Sequence, residues 1–427
     1  MARNLTTGLQ RGLRQSIAGG LGAGDIFSTA SLDLNFARHK SLDSRITFSR
    51  ASSGTYVDAA GVIRTAGNNV ARFDHNPTTG ESLGLLVEES RTNLLEYSET
   101  ITSWSQTVGG GVVLTANSAS DPAGGSTATL IENDGVAGFV GDATSWALNT
   151  TYTISGYLKA GTGDKASILL YSAGGNSGNW NNETSNVAVT FDLTNGTSEA
   201  FSGAVAPTSS SITDAGNGWW RCSITATCTG ANTNSQQLIR NVSGVTDGIY
   251  AWGFQIEAGS FPTSYIRTEG STVTRSADVA SITGTNFSSW YNQTEGTVFS
   301  ASRHKAVTAR TLAFTDGTAS NAMQQYLLAS TAAMDSYVSG TWQGSGSAST
   351  TFTSNQQFKV ISTIQTNSGV TAVDGTLGTV DTSYGIPTVD RLLIGQSRSS
   401  DNTNGTIARL TYWPTRLSND TLQTITR

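Results

Sequence analysis

The residues of this chain best suited by type and setting to do chemistry are its aromatic rings, and the chemistry open to an exposed ring is stacking on the apolar face of a sugar. A surface ring offers a flat apolar face to the C–H side of a pyranose, while Asn, Gln and Asp side chains bond the hydroxyls around it. Trp180 lies in GGNSGNWNNETSN without an apolar neighbour, which makes it the leading candidate for an exposed platform. Trp104, Trp146 and Tyr171 are further candidates. Trp219, Trp220 and Trp252 alternate with core-type residues and are expected inside.

Other chemistry is poorly provided for. The 3 histidines, His39, His75 and His304, show no metal-ligand spacing. Neither a G-x-S-x-G elbow nor a phosphate-cradling loop occurs. Glu88 and Glu89 are adjacent, and neighbours on a strand face opposite ways, so they cannot flank one glycosidic bond. They are better read as partners for Arg91, Arg72 or Arg50. Asp401-Asn402-Thr403-Asn404-Gly405 has the oxygen ligands of a calcium loop but no complete D-x-[DN]-x-[DN]-G set with a distal Glu, so a hairpin turn is expected there. No catalytic residue, metal or cofactor is expected. The 2 cysteines, Cys222 and Cys228, share one predicted strand. Six residues of strand hold their Cα atoms roughly 20 Å apart, too far for a disulfide. They are expected to be free thiols on one side of a sheet.

The elements that must carry these residues are strands. Charged residues are 13% of the chain and glycine reaches 47 residues, so Ser, Thr, Asn and Gly take the place of charge. That composition suits an all-β chain with many tight turns. From about 94 to 280, strand candidates recur between turn residues: Gly111–Ala116, Ala128–Glu132, Thr151–Ala160, Ala166–Ser172, Val187–Leu193, Trp219–Thr229, Gln236–Val242 and Gly248–Glu257. From about 285 to 427 a second set appears, closing with a strand at Ile407–Trp413 and a short helix that Ser418 would cap. Ahead of both, Leu32, Leu34 and Phe36 alternate with polar or small residues, and the stretch to about 93 reads as short extended pieces between turns. In the first 30 residues, Leu5, Leu9, Leu13 and Ile17 recur at four-residue spacing with Arg11 and Arg14 between them. That spacing suits a short amphipathic helix, too short to be stable unless it forms on a partner, and a disordered terminus is the alternative.

A net charge of −6 without a basic cluster argues against nucleic acid as a partner. No apolar run is long enough to span a membrane, and the amino-terminal residues lack the apolar core of a secretion signal.

The run from Arg45 to Leu95, RITFSRASSGTYVDAAGVIRTAGNNVARFDHNPTTGESLGLLVEESRTNLL, resembles the signature segment of tailed-bacteriophage virion proteins described as head spike, head fibre or tail fibre proteins. TYTISGYLKAGTG, FDLTNG, AGNGWWRCSITAT, YAWGFQIEAGSFPTSYIRTEG and TVTRSADVASI resemble the carbohydrate-binding-module-like jelly roll that follows the signature in many such proteins. VDRLLIGQS and the ending IARLTYWPTRLSNDTLQTITR resemble a concanavalin A-like or laminin-G-like lectin domain.

These resemblances imply tandem jelly-roll β-sandwiches preceded by a short anchoring segment. The expected regions are 1–30 as virion anchor, 31–93 as connector, 94–280 as the first sandwich and 285–427 as the lectin sandwich. The implied partners are capsid, connector or tail proteins through Leu5, Leu9, Arg11, Leu13, Arg14 and Ile17, and host-surface glycans through the sandwiches. A homotrimer is implied by resemblance alone, since no heptad run supports a coiled-coil stem. The expected place is the particle surface, after assembly in the host cytoplasm. Three roles remain open: a fibre or spike that attaches to host glycans, a capsid-decorating or connector protein, and a glycan-cleaving tailspike.

Overall fold

Runs rich in Thr, Val, Ile and aromatics pair as antiparallel strands, and among the described residues helices are few and short. The computed structural model describes residues 26–427 apart from 109–110, 136–137, 144–145, 173–179, 182–185, 231–234, 243, 245–246, 308 and 400. The expected anchor residues Leu5, Leu9, Arg11, Leu13, Arg14 and Ile17 therefore lie outside the described residues. All-β architecture with sandwiched sheets is what the sequence led us to expect.

The chain divides into two units, Phe48–Asp278 and a discontinuous one that joins the described part of Met1–Thr47 to Val279–Arg427. This differs from a linear series broken at 30, 93 and 280. Phe48–Asn93 folds with the middle sandwich, while Leu32–Leu34 pairs antiparallel with Gly405–Trp413, placing Leu32 opposite Tyr412 and Leu34 opposite Leu410. Asp33, between those leucines, bonds the Arg409 guanidinium through both oxygens at 2.7 Å. Pairings between such distant segments leave no mark in local sequence.

In the middle unit two six-stranded sheets face each other. The first runs in the order Ser209–Asp214, Trp219–Cys228, Thr150–Ala160, Gly248–Ala258, Ala128–Asn133, Val112–Ala119. The second runs Thr197–Ala200, Val187–Asp192, Lys165–Ser172, Ser235–Asn241, Phe139–Ala143, Gln106–Val108. Alternate residues point inward, so Ile154, Leu158, Ile224 and Phe254 of the first sheet meet Ile168, Leu170, Val189 and Phe191 of the second. Each such side chain contributes about 1.5–3 kcal/mol on burial. Gly156 is required by this packing, because a Cβ there would lie 2.5 Å from the Phe254 ring. Cys222 and Cys228 are free and buried in the same core.

The opposite face of the first sheet is also covered. Tyr157, Trp219 and Trp252 pack with Ile63 and Val57 of the hairpin Gly54–Val57/Ile63–Ala66, and with Tyr265. That hairpin comes from the signature segment, which thus acts as a lid. Beside it lies a fully buried ionic cluster. Asp278 accepts from Arg50 at 3.0 Å and from Arg72 at 2.5 Å, and Glu88 takes Arg72 at 2.9 Å with Arg275 3.6 Å away. Ser264 adds two hydrogen bonds to Glu88 at 2.8 and 2.6 Å. Burying these charges would be prohibitive singly; mutual pairing offsets the cost.

In the other unit one layer carries Thr371–Val373, Gln357–Gln365, Glu295–His304 and Gly405–Trp413 side by side. The helix Asn419–Thr426 packs Leu422 and Ile425 against Ile361, Val370 and Trp413 of that layer. Ser418 caps it by accepting from the Thr421 amide. The second layer runs Val279–Thr283, Arg391–Ile394, Ala309–Thr315, Ala322–Leu327, Thr331–Val338, Thr341–Ser349. Leu327, Ala332 and Ala348 meet Phe358, Val360 and Val373 between the layers.

Candidate functional site

With both faces of the first sheet used, the second sheet of the middle unit has the face free to meet a ligand. Alternation along its strands places Ser167, Leu169 and Tyr171 there, with Ala188 and Thr190 on the neighbouring strand and Arg240 and Phe139 on the two beyond. Leu169 and Ala188 form a small buried floor on which Phe139, Tyr171, Phe201 and Ala204 pack. A cleft of about 530 Å³ opens beside it, lined by Lys165, Thr190, Glu199, Phe201, Arg240 and Asn133 among others.

The Arg240 guanidinium sits 4.9 Å from the Phe139 ring centroid and 5.8 Å from that of Phe201. Its Nε has no hydrogen-bond partner. Two rings therefore hold a cation whose hydrogen-bonding capacity is not used up. Lys165 Nζ bonds Glu199 at 2.7 Å, and the carboxylate raises the ammonium's pKa above its ordinary value. Ser167 and Thr190 hydroxyls bond each other at 2.8 Å. Asn133, buried at the cleft wall, donates to the Asn241 carbonyl at 3.1 Å and the Gly244 carbonyl at 2.7 Å, while its Oδ1 is left without a partner. A planar cation, apolar ring walls and polar side chains around them suit a saccharide bearing a carboxylate. They provide no nucleophile paired with a base.

The sequence-predicted platform residues are placed otherwise. Trp180 is fully buried, bridged by its backbone to Cys228, with its ring edge-on to Trp146 at 4.8 Å. Trp104 is buried as well, donating to the Tyr97 carbonyl at 2.7 Å and meeting Phe254 edge-on. Trp146 is half-buried against Trp180 and Tyr152. The expectation of an exposed Trp180 platform is corrected, because burying a large ring outweighs the polarity of its sequence neighbours. Tyr171 alone among the four lies on the candidate face, half-buried.

Sequence reading missed Phe139, Phe201 and Arg240. A signal existed for Arg240, which follows Ile239 in a strand whose inward residue is Ile239. Phe139 opens the short strand Phe139–Ala143 and Phe201 follows Thr197–Ala200, neither of which gave a periodic signal.

The acidic pair is engaged elsewhere: Glu88 in the buried cluster and Glu89 with Arg91. His75 Nδ1 lies 3.0 Å from the Val57 carbonyl, and His304 is buried with Nε2 at 2.8 Å from the Ser302 hydroxyl. Among the described residues no group of three His, Cys, Asp or Glu side chains could hold a metal ion, and no helix is long and apolar enough to cross a membrane.

No family model matches this chain, and no curated protein does. Solved structures give similarities of fold. A carbohydrate-binding module, CBM40, of the Ruminococcus gnavus IT-sialidase, solved with α2,3-sialyllactose, is 14% identical, with a TM-score of 0.30 over 33% of this chain and 88% of that one. Domains LG4-5 of the mouse laminin α1 chain are 8% identical, with a TM-score of 0.21 over 77% and 88%. The Trypanosoma rangeli sialidase in complex with the inhibitor DANA is 10% identical, with a TM-score of 0.25 over 70% and 60%.

Proposed function

We propose that this chain is a structural appendage of a tailed-bacteriophage virion, a fibre or spike, and that its middle unit attaches to host-surface glycans carrying acidic sugars. The cleft on the second sheet carries the proposal. It lies on the face that the signature segment leaves uncovered, and it combines a ring-flanked guanidinium with unpartnered polar groups. The virion context rests on the resemblance of Arg45–Leu95. That segment's own role is structural: it supplies the lid hairpin and Arg50, Arg72 and Glu88 of the buried cluster.

Two measurements test this reading. Mass spectrometry and immunogold labelling of purified particles should find the chain on the virion; its absence from particles would remove the context. The full chain on an array of acidic and neutral glycans should retain acidic ones such as sialyllactose, and Arg240→Ala should release them. Retention of the chain on virions together with no acidic-glycan binding would favour the capsid-decorating role instead.

A further inference from the structure

We infer that the outward face of the Val279–Ser349 layer in the discontinuous unit is a second saccharide site, and that it takes uncharged pyranoses. Trp342 is 55% exposed, the most exposed of the large apolar side chains in the described residues. It lies directly opposite Tyr337 across the hairpin formed by Thr331–Val338 and Thr341–Ser349, so the two share a face. Arg398 stacks its guanidinium 3.6 Å from the Tyr337 ring centroid and donates to the Ala319 carbonyl. Tyr337 is thereby held in place, and the indole beside it keeps an open face.

Polar groups continue across the same face. Gln324, Asp335 and Ser345 stand opposite one another on three adjacent strands. The face is fixed by the inward set, since Leu327, Ala332 and Ala348 lie in the core and Gln324, Asp335 and Ser345 occupy the alternate positions. Asp335 accepts from the Tyr326 hydroxyl at 3.0 Å, and Arg310 stacks 4.7 Å from the Tyr326 ring centroid. Gln324 is 6% exposed, and its Oε1 has no hydrogen-bond partner. Arg310 Nη1 is also unpartnered. Asp335 and Ser345, half-buried, are the members of this row open to a sugar hydroxyl.

Charge on this face is mixed, with Arg310 and Arg398 stacked on rings to either side of Asp335, and the uncharged hydroxyls of a neutral pyranose can bond groups of either sign. A single exposed tryptophan is unremarkable alone. A tryptophan beside an immobilised tyrosine and a row of hydrogen-bonding side chains is the arrangement a pyranose fits.

The experiment uses the full chain and a panel of maltohexaose, cellohexaose, chitohexaose and mannohexaose, with sialyllactose as acidic contrast. Binding is read by calorimetry and by protection of tryptophan fluorescence from acrylamide. At least one neutral oligosaccharide should bind, Trp342→Ala should weaken it tenfold or more at unchanged melting temperature, Trp342→Phe should restore most of it, and Arg240→Ala should leave it unchanged. Absence of Trp342-dependent binding across the neutral panel overturns the inference. So does Trp342-dependent binding of sialyllactose alone, or loss of neutral binding with Arg240→Ala and not with Trp342→Ala. The middle-unit cleft is read separately through sialyllactose and Arg240, so either site can fail without the other.

Discussion

Trp180 in the middle unit is fully buried and Trp342 in the discontinuous unit is 55% exposed, although both sit among Gly, Ser and other small polar residues. Trp180 reaches Trp146 and Tyr152 and becomes part of the core. Trp342 sits on an edge strand of small residues, opposite a tyrosine on the outer face. The difference teaches that polar sequence context does not decide whether a ring faces solvent; what the fold packs against the ring does. It also divides the chemistry. In the middle unit the large rings support the fold, and a guanidinium held by two phenylalanines is offered to ligand. In the other unit the ring itself is offered.

The largest test of this contrast is a pair of truncations. Trp180→Ala should cost about 3–5 kcal/mol of stability, the range for emptying a packed aromatic site, whereas Trp342→Ala should stay within about 0.5 kcal/mol. Urea denaturation of both variants checks it, and equal costs would erase the distinction. Ion pairs should divide the units in the same way. Arg72→Met takes from Glu88 its nearest guanidinium and from Asp278 one of two, all in the interior, and should cost about 3–5 kcal/mol. Arg409→Met breaks the partly exposed pair with Asp33 and the stacking of the guanidinium on Phe27, and should cost about 1–2 kcal/mol, less than the buried cluster.

A smaller effect separates the units by pH. Burial holds His304 down at about 4, so its imidazole is neutral in the folded discontinuous unit. Above pH 6.5 it is neutral folded or unfolded and contributes no pH dependence. Below 6.5 the unfolded chain binds a proton that the folded unit refuses, so stability falls with falling pH until about 4, by at most about 1.4 kcal/mol per unit. Hydrogen exchange in the strand Glu295–His304 should therefore quicken, relative to intrinsic rates, between pH 6.5 and 4.5. His304→Gln should flatten that trend; an unchanged trend would assign it to other groups. The smallest expected effect is on binding: Arg240→Ala should weaken acidic-glycan binding about tenfold, about 1.4 kcal/mol, with little change in melting temperature.

Much of the strand framework was legible. Thr151–Ala160, Ala166–Ser172, Trp219–Thr229 and Gly248–Glu257 fall within a residue of their observed bounds, because central strands carry continuous apolar or alternating runs. The strands that escaped include Gln106–Val108, Thr197–Ala200, Ser209–Asp214 and Thr341–Ser349, each at the edge of its sheet. Edge strands bury little and tolerate Ser, Thr and Gly, so they read as loops. The candidate sites lie largely on or beside those edges, at Glu199, Phe201 and Trp342, which is why the binding residues were harder to see than the core. The cap at Ser418 and the free thiols were visible because they depend on local chemistry alone.

The pairing of Leu32–Leu34 with Gly405–Trp413 sets an order of events during synthesis. At about 5–20 residues per second, the early strand waits on the order of tens of seconds before its partner leaves the ribosome. The middle unit, whose residues are contiguous, can close in that interval. The discontinuous unit is thereby a timer: it locks only once Gly405–Trp413 has been made, so a product truncated before Gly405 would carry a finished middle sandwich and an unfinished second unit with an unpaired edge, a form that quality-control proteases can recognise.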